Sequence, residues 1–213
     1  MLFSYELKHN CYMTNNISSK QKFFDLWAPN YDWLFPSVVY QAVHQRLLEY
    51  VNLPSPANVL DLGCGTGKLL HRLAINFPNL QGTGLDLSPE MVDQANSRNR
   101  HSESVTFLIG NAEEMPFANE QFDAVFNTIS FLHYPHPQQV FNEVSRVLRP
   151  GGFFYLVDSY FKWQDEFQSL NISPGGIKLY SPTVREQLGK ETGLNLQANH
   201  YLLGAVLLTI FTK

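Results

Sequence analysis

The stretch Val59-Leu60-Asp61-Leu62-Gly63-Cys64-Gly65-Thr66-Gly67 decides the fold of this 213-residue chain. It opens as a short apolar run with one acid, typical of a buried strand, and continues with three glycines at alternate positions. Glycines in such a loop let a ligand lie against bare backbone where a helix begins. The stretch therefore predicts a strand, a loop and a helix that bind a nucleotide-like ligand. A tight turn that needs glycine only for packing is the alternative.

The chain around this stretch repeats the same alternation. From residue 57 onward, short apolar runs alternate with amphipathic stretches, as in βα units on a parallel sheet. We expect strands at Asn58–Leu62, Thr83–Leu87, Val105–Ile109, Ala124–Thr128 and Phe153–Asp158, with helices near residues 67–77, 89–99 and 137–148. A helix from Ser181 to Gly193 should follow, and then strands Asn195–Leu202 and Ala205–Thr212. The predicted fold class is α/β: a Rossmann-like, mostly parallel seven-stranded sheet with helices on both faces and a C-terminal antiparallel hairpin.

The length predicts a single domain, because a chain of this size can bury one large core. We interpret residues 1–56 as an N-terminal extension of that domain, with a docked helix over Ser37–Val51. Residues 57–213 should form the ligand-binding core. Within it, residues 159–181 are rich in aromatic side chains, and we expect them to form a short lid.

Composition and charge exclude several classes of protein. A net charge of −4, with no run of Lys or Arg, argues against a nucleic-acid binder. Cys11 and Cys64 form neither a disulfide framework nor a metal-binding spacing. The longest apolar run, Tyr201–Phe211, is shorter than the ~20 residues that span a bilayer. We therefore expect a cytoplasmic protein without a transmembrane segment or bound metal, and the sequence leaves its oligomeric state open.

Asp86 lies 23 residues after Gly63, at the end of the second predicted strand. A carboxylate there can accept hydrogen bonds from both hydroxyls of a ribose. NAD and S-adenosylmethionine both carry that ribose. Lys68 stands where the dinucleotide fingerprint has its third glycine or alanine, which disfavours NAD.

Four ordered segments resemble the class I S-adenosylmethionine-dependent methyltransferases. They are residues 59–70, the run Gly84-Leu85-Asp86-Leu87-Ser88-Pro89-Glu90-Met91, the run Asn111-Ala112-Glu113-Glu114-Met115-Pro116-Phe117, and Leu148-Arg149-Pro150-Gly151-Gly152. The short segment Trp27-Ala28-Pro29-Asn30-Tyr31-Asp32 is similar to the N-terminal part of the ubiquinone/menaquinone methyltransferase-like group.

The resemblance implies S-adenosyl-L-methionine as the cofactor and assigns it ten residues. Asp61 and the backbone of Gly63 would lie near the methionine ammonium, Gly65 and Gly67 beneath the ligand, Asp86 at the ribose, Leu87 and Met91 against the adenine, and Asn111, Ala112 and Glu113 along the edge of the base. The family commonly has an acid at the position of Asn111. Here an amide oxygen would accept the adenine hydrogen bond without a charge.

Methyl transfer from a sulfonium depends mainly on the alignment of the acceptor atom, the methyl carbon and the sulfur, and it requires no nucleophilic residue of the protein. A base is needed only where the acceptor must lose a proton. The best histidine for that role is His133, in the loop after the fourth strand, although it could simply order the loop. His136 is a weaker candidate, and Tyr31 is the tyrosine candidate. Five aromatic residues could enclose an apolar or aromatic acceptor or merely pack: Tyr31, Trp33, Tyr160, Trp163 and Tyr180.

The sequence thus predicts a methyltransferase that acts on a small acceptor. Residues 127–130 do not form the Asn/Asp-Pro-Pro-aromatic motif, which disfavours methylation of adenine N6 or of a glutamine amide. Aminopropyl transfer, a second enzymatic alternative, would need acidic residues to hold a polyamine. In the lid and at its start these are mainly Asp158, Asp165 and Glu166. The alternative that is not an enzyme is a non-catalytic cofactor-binding or partner subunit with this fold. Only Asn111 favours that alternative.

Overall fold

The computed structural model of the chain describes residues 22, 25, 35–161, 167–170 and 176–213. Helices and strands alternate along most of these residues, as the sequence predicts. In chain order they are α1 (Phe35–Leu48), β1 (Ala57–Leu62), α2 (Lys68–Asn76), β2 (Leu80–Asp86), α3 (Pro89–Ser97), β3 (Val105–Ile109), β4 (Phe122–Thr128), a short 3-10 turn (Phe131–His133), α4 (Pro137–Val147), β5 (Leu148–Ser159), β6 (Phe167–Leu170), β7 (Ile177–Tyr180), α5 (Pro182–Glu191), β8 (Asn195–Leu203) and β9 (Val206–Thr212).

Seven strands form one mixed sheet in the order β3-β2-β1-β4-β5-β9-β8. Strands β1 to β5 run parallel, and the hairpin β8–β9 adds two antiparallel strands at one edge. The predicted fold class is confirmed. Leu62 of β1 lies level with Leu85 of β2 and Asn127 of β4, so these three strands end together at the carboxyl edge of the sheet. Ligands of open α/β sheets bind at such an edge.

The core has two layers, one on each face of the sheet, because alternate strand residues point to opposite faces. Val59 belongs to the layer that also contains buried side chains of α1, α2 and α3. Its neighbour Leu60 belongs to the layer formed with α4, with side chains of α5 packed against it. The strands are therefore apolar on both faces, as expected of a parallel sheet covered by helices on either side.

The helices of the core begin close to their predicted positions because their capping residues are clear in the sequence. The Ser88 hydroxyl accepts a hydrogen bond from the Met91 amide, and the Ser181 hydroxyl accepts one from the Val184 amide, both at 3.2 Å. Helix α1 begins two residues earlier and ends three residues earlier than the predicted range Ser37–Val51.

Two strands start three or more residues earlier than predicted. Strand β2 begins at Leu80 rather than Thr83, because Leu80 pairs with Ala57, the first residue of β1. Strand β5 begins at Leu148 rather than Phe153, since Leu148 pairs with Phe122 before a shift of register. Residues 149–152, which precede the predicted strand Phe153–Asp158, therefore lie within β5.

The predicted lid contains a small sheet that the sequence pattern does not reveal. Strands β6 and β7 pair antiparallel, with Phe167 opposite Tyr180 and Leu170 opposite Ile177. Each has four residues, too few for a recognisable period. This hairpin precedes α5 and is separate from the seven-stranded sheet.

Candidate functional site

The glycine loop connects β1 to α2 and is held against the end of β2. The amides of Gly63 and Cys64 both donate to the carbonyl of Leu85, at 2.8 and 3.2 Å. Gly65 has a φ of +51°, and a Cβ built on it would meet no atom within 4 Å. The loop therefore presents open backbone at this position, where any side chain would occupy the space a ligand needs.

Asp86 ends β2 and binds two backbone amides. Its Oδ2 accepts from Gly65 N at 2.8 Å, and its Oδ1 accepts from Ser88 N at 2.9 Å. Burial raises the pKa of this carboxyl above its usual value, and the two amide hydrogen bonds act in the opposite direction. Each carboxylate oxygen has a second lone pair, so Asp86 can still accept from a ligand.

A cleft of about 910 Å³, counted to its open mouth, lies at the carboxyl edge of the sheet beside these residues. Eight of the ten residues predicted to bind the cofactor line it, namely Gly63, Gly65, Asp86, Leu87, Met91, Asn111, Ala112 and Glu113. The candidate base His133 lines the same cleft.

The two remaining residues lie elsewhere. Gly67, with a φ of +78°, is packed against the core: a Cβ on it would lie 2.5 Å from Phe107 Cζ. Asp61 is only 1% exposed and lines a second, smaller cavity between α1 and the glycine loop. Gly63, Gly65, Thr128 and Ile129 line both cavities, so the smaller one adjoins the cleft.

Asp61 is a buried carboxyl with an unsatisfied oxygen. Among the described residues, none forms a hydrogen bond with its Oδ1. Burial raises the pKa of Asp61 well above its usual value, and the nearby Asp86 raises it further. A buried polar atom without a partner is costly, so such an atom needs a functional explanation. A cationic donor in the small cavity would satisfy it.

The far wall of the cleft is ordered by Glu113 and His136. Glu113 Oε1 accepts from the His136 amide at 2.9 Å, and its Oε2 lies 2.8 Å from His136 Nδ1. The amide oxygen of Asn111 accepts from Glu113 N at 3.0 Å. His136 therefore orders this wall, and it does not line the cleft.

A polar cluster behind Gly63 was not predicted from the sequence. Asn127 is fully buried, and its Nδ2 lies 2.8 Å from Ser130 Oγ, 3.0 Å from Tyr134 Oη and 3.0 Å from the Leu62 carbonyl. A Cβ on Gly63 would lie 2.5 Å from Ser130 Oγ, so glycine is required there for close approach. Burial raises the pKa of the Tyr134 phenol, which therefore stays protonated at neutral pH. The sequence feature that could have indicated this cluster is the position of Asn127, a polar residue near the end of a predicted strand.

The loop after β4 also forms an apolar wall together with side chains of β7. Ile129, with a φ of +53°, lines both cavities. A β-branched residue in this conformation is strained, and such strain is concentrated at functional sites. Ile129 packs in a small cluster whose other members are Leu132, Phe161, Ile177 and Leu179. The cluster joins this loop to β7.

Of the aromatic residues predicted to enclose an acceptor, Tyr180 is only 4% exposed and packs on Phe131, with ring centroids 5.1 Å apart. It belongs to the core, as the packing alternative predicts. Tyr160 lies just beyond β5 and does not line the cleft. The candidate Tyr31, the segment Trp27–Asp32, Trp33 and Trp163 lie outside the described residues.

Asp158 is a structural support in this structure and is not available to a polyamine. It is 2% exposed, and its Oδ2 accepts from Leu132 N at 2.8 Å. Burial raises its pKa to about 6. Asp165 and Glu166 lie outside the described residues.

In the part of the chain that the structure describes, no group of three metal-ligating side chains comes together. Within the same ranges, none of the helices is long and apolar enough to cross a membrane.

Comparison with known proteins agrees with the geometry. Residues 59–152 match a family described as a methyltransferase domain. The malonyl-[acyl-carrier protein] O-methyltransferase of Hahella chejuensis is 34% identical over 129 residues, which cover 61% of this chain and 45% of that protein. The demethylmenaquinone methyltransferase of Thermotoga maritima is 31% identical over 140 residues, 64% of this chain and 60% of that protein. The chain thus spans 45% to 60% of the length of these two relatives.

The fold is also found among solved structures. A Haloferax volcanii protein in complex with the Trm112 methyltransferase activator superimposes with a TM-score of 0.76. The two are 22% identical, and the match covers 89% of this chain and 96% of that one. Residues 59–152 thus match a methyltransferase domain, and two curated methyltransferases are 31% and 34% identical to this chain. The solved structure shows that the fold is shared.

Proposed function

We propose that the protein transfers a methyl group from S-adenosylmethionine to a small, apolar or aromatic acceptor. The observation that carries this proposal is the pair of acids on either side of one glycine loop. Asp86 lies in the cleft, and Asp61 lies in the adjoining cavity with a buried, unsatisfied oxygen. A nucleoside that ends in a cationic amino-acid group fits this pair.

The nucleoside half of the cofactor would occupy the cleft. The remaining lone pairs of Asp86 would accept from the ribose hydroxyls, and the apolar side chains of Leu87, Met91 and Ala112 would contact the adenine. The Asn111 oxygen, already bonded to Glu113 N, has one further lone pair for the edge of the base.

The methionine half would pass over Gly63 and Gly65, which line both cavities, and extend towards Asp61. An ammonium group at Asp61 Oδ1 would supply the missing donor and stabilise the ionised carboxylate. Gly65 is compatible with this path because the space at its α-carbon is open.

When bound, S-adenosylmethionine supplies an electrophilic methyl group with a good leaving group, so the protein's contribution is chiefly alignment. His133, which lines the cleft from the 3-10 turn, would take the acceptor's proton where one must leave. Tyr134 lines the same cleft and, because it stays protonated, would act as a hydrogen-bond donor and not as a base.

The nature of the acceptor is argued from the apolar wall formed by Ile129 and its neighbours. Ile129 lines the cleft, and the wall extends from it to Ile177 and Leu179 of β7. Apolar side chains around a few polar groups are typical of small-molecule sites. The relatives named above act on unlike acceptors, a malonyl-carrier protein and a quinone, so the wall and not the relatives supports this part of the proposal.

Calorimetric titration with S-adenosylmethionine and S-adenosylhomocysteine, with NAD as the control ligand, tests the cofactor. We expect both sulfur nucleosides to bind and NAD not to bind. Release of S-adenosylhomocysteine in the presence of quinols, phenols and fatty acids then tests turnover, with His133→Asn as the variant that retains binding and loses rate. Binding without turnover on any acceptor class would favour the non-catalytic alternative, and absence of binding would overturn the proposal.

A further inference from the structure

His44, on helix α1, is a polar residue that neither the motif pattern nor the proposed reaction uses. It is 7% exposed and lines the small cavity that also contains Asp61. Its Nε2 lies 3.4 Å from Thr128 Oγ1, a long hydrogen bond. Within the described residues, its Nδ1 has no hydrogen-bond partner. Two unsatisfied buried atoms, Nδ1 of His44 and Oδ1 of Asp61, therefore belong to residues that line one cavity.

The charge state of His44 decides which ligand it can take. Burial, assisted by the positive charges of Arg72 and Lys68, lowers its pKa to about 3, so the imidazole is neutral. A neutral imidazole has one donor nitrogen and one acceptor nitrogen. In the tautomer that donates Nε2–H to Thr128, Nδ1 carries a lone pair and can only accept. His44 and Asp61 then offer the cavity a neutral nitrogen acceptor and a carboxyl oxygen acceptor. The hydroxyls of Tyr40 and Thr66 and the amine of Lys68 complete its polar lining.

A neutral second acceptor suits a site that already contains two acids. A third carboxylate would raise the pKa of Asp61 further, because like charges disfavour ionisation. An imidazole adds a hydrogen bond without that penalty. The matching ligand group is a primary ammonium, which has three donors in a tetrahedral arrangement.

We propose that His44 is a second binding residue for the ammonium of the cofactor's amino-acid end, acting beside Asp61, so that helix α1 takes part in cofactor binding. The inference rests on the proposed function, since it requires that the cofactor binds as described above. It adds a contact from outside residues 59–152, the part of the chain that carries the methyltransferase motifs.

The test compares two ligands that differ at the amino-acid end. S-Adenosylhomocysteine carries the ammonium, whereas 5′-methylthioadenosine keeps the adenosine and the sulfur and lacks it. Calorimetric titration of His44→Leu should show S-adenosylhomocysteine affinity reduced by about tenfold or more, the effect of losing one hydrogen bond to a charged group. The affinity for 5′-methylthioadenosine should be unchanged.

Two further variants separate a binding role from a structural one. His44→Asn places an amide oxygen near the position of Nδ1 and should recover most of the affinity for S-adenosylhomocysteine. His71→Leu, at a histidine that lines neither cavity, should leave both affinities unchanged. If His44→Leu does not fold, His44→Asn and Thr128→Val provide the comparison. Thr128→Val removes the hydrogen-bond partner of His44 Nε2. It should weaken the binding of S-adenosylhomocysteine and leave the binding of 5′-methylthioadenosine unchanged.

Hydrogen exchange provides a readout that does not depend on variants. Amides of residues 39–48 should exchange more slowly with S-adenosylhomocysteine bound than with 5′-methylthioadenosine bound. Equal losses of affinity for both ligands, or unchanged affinity for S-adenosylhomocysteine in His44→Leu, would overturn the inference and leave the proposed function intact. If the unaltered protein bound neither ligand, the proposed function would fall and the inference with it.

Discussion

Oδ2 of Asp86 accepts a 2.8 Å hydrogen bond from the amide of Gly65, so the acid at the end of β2 holds the glycine loop as well as lining the cleft. Oδ1 accepts from Ser88 N at the start of α3. One carboxylate thus ties together the loop, the strand end and the next helix. Substitutions here change the shape of the site and its ligand contacts together.

Asp86→Ala should weaken the binding of S-adenosylhomocysteine by about 1–3 kcal/mol, because acceptors for two backbone amides and for the ribose are lost. The free energy of unfolding should also fall. Calorimetry and urea denaturation measure the two effects. Glu90→Ala, at an exposed position on α3, is the matched control and should change neither quantity by more than about 0.5 kcal/mol. Unchanged affinity in Asp86→Ala would remove Asp86 from the site.

The glycines Gly65 and Gly67 should differ in the effect of alanine. At Gly67 the new Cβ would lie 2.5 Å from Phe107 Cζ, so Gly67→Ala should lose about 1–3 kcal/mol of stability. At Gly65 the space is open, so the only stability cost of Gly65→Ala should be the strain of its positive φ, about 1 kcal/mol, and the main effect should be lower cofactor affinity because the new methyl group fills the cleft. Thermal unfolding and ligand titration of both variants check the contrast. Phe107→Leu combined with Gly67→Ala should recover part of the stability. Equal profiles for the two variants would contradict the assignment.

Asp61→Asn should make the ligand-free protein more stable at neutral pH. The pKa of Asp61 is raised in the folded protein, so ionisation costs stability as the pH rises from the unfolded value of 3.8 towards the folded one. The unaltered protein should therefore lose stability relative to Asp61→Asn as the pH increases from 5 to 8. A difference of 1 kcal/mol would appear as a shift of about 2–4 °C in Tm. A parallel pH dependence of the two proteins would show that the pKa of Asp61 is not raised in the folded protein.

Cofactor binding should release a proton. The raised pKa of Asp61 favours its protonated form in the free protein, whereas an ammonium ligand requires the carboxylate. The affinity for S-adenosylhomocysteine should then rise with pH over the range in which Asp61 ionises. Titrations in buffers of different ionisation enthalpy measure the proton directly. Asp61→Asn should abolish the proton release that comes from Asp61. The Asp86→Asn variant measures any proton release that comes from Asp86. A pH-independent affinity would argue against an ammonium at Asp61.

Arg185 should be among the most important residues for stability outside the site. Its guanidinium is fully buried and donates to the carbonyls of Tyr180 and Leu207 and to the Thr209 hydroxyl, at 3.1 to 3.2 Å. Arg185→Met should lower the free energy of unfolding by about 3–5 kcal/mol, because these acceptors remain buried without a donor. Urea denaturation measures the loss. Lys190→Met, exposed on the same helix, should cost less than about 0.5 kcal/mol. A small loss at Arg185 would mean that the carbonyls find other partners.

The linear order of motifs was sufficient to predict the fold class and most of the cleft lining. A strand run before Gly63 and a strand that ends at Asp86 predict neighbouring carboxyl ends, since successive parallel strands meet at one edge. Eight predicted cofactor residues do line one cleft. Gly67 was assigned to the ligand from its motif, although the structure packs it on Phe107. A motif defines the spacing of its residues but not which of them face the core.

The sequence by itself determined the strand–loop–helix unit, the strand alternation and the C-terminal hairpin, because these depend on local periodicity and on capping and turn residues. Only the tertiary structure decided that Asp61 and His44, 17 positions apart, line one small cavity. The same holds for Asn127 behind Gly63 and for Arg185 among carbonyls of β5, β7 and β9. Burial and unsatisfied hydrogen-bonding atoms arise from long-range packing, which no local pattern in the chain encodes.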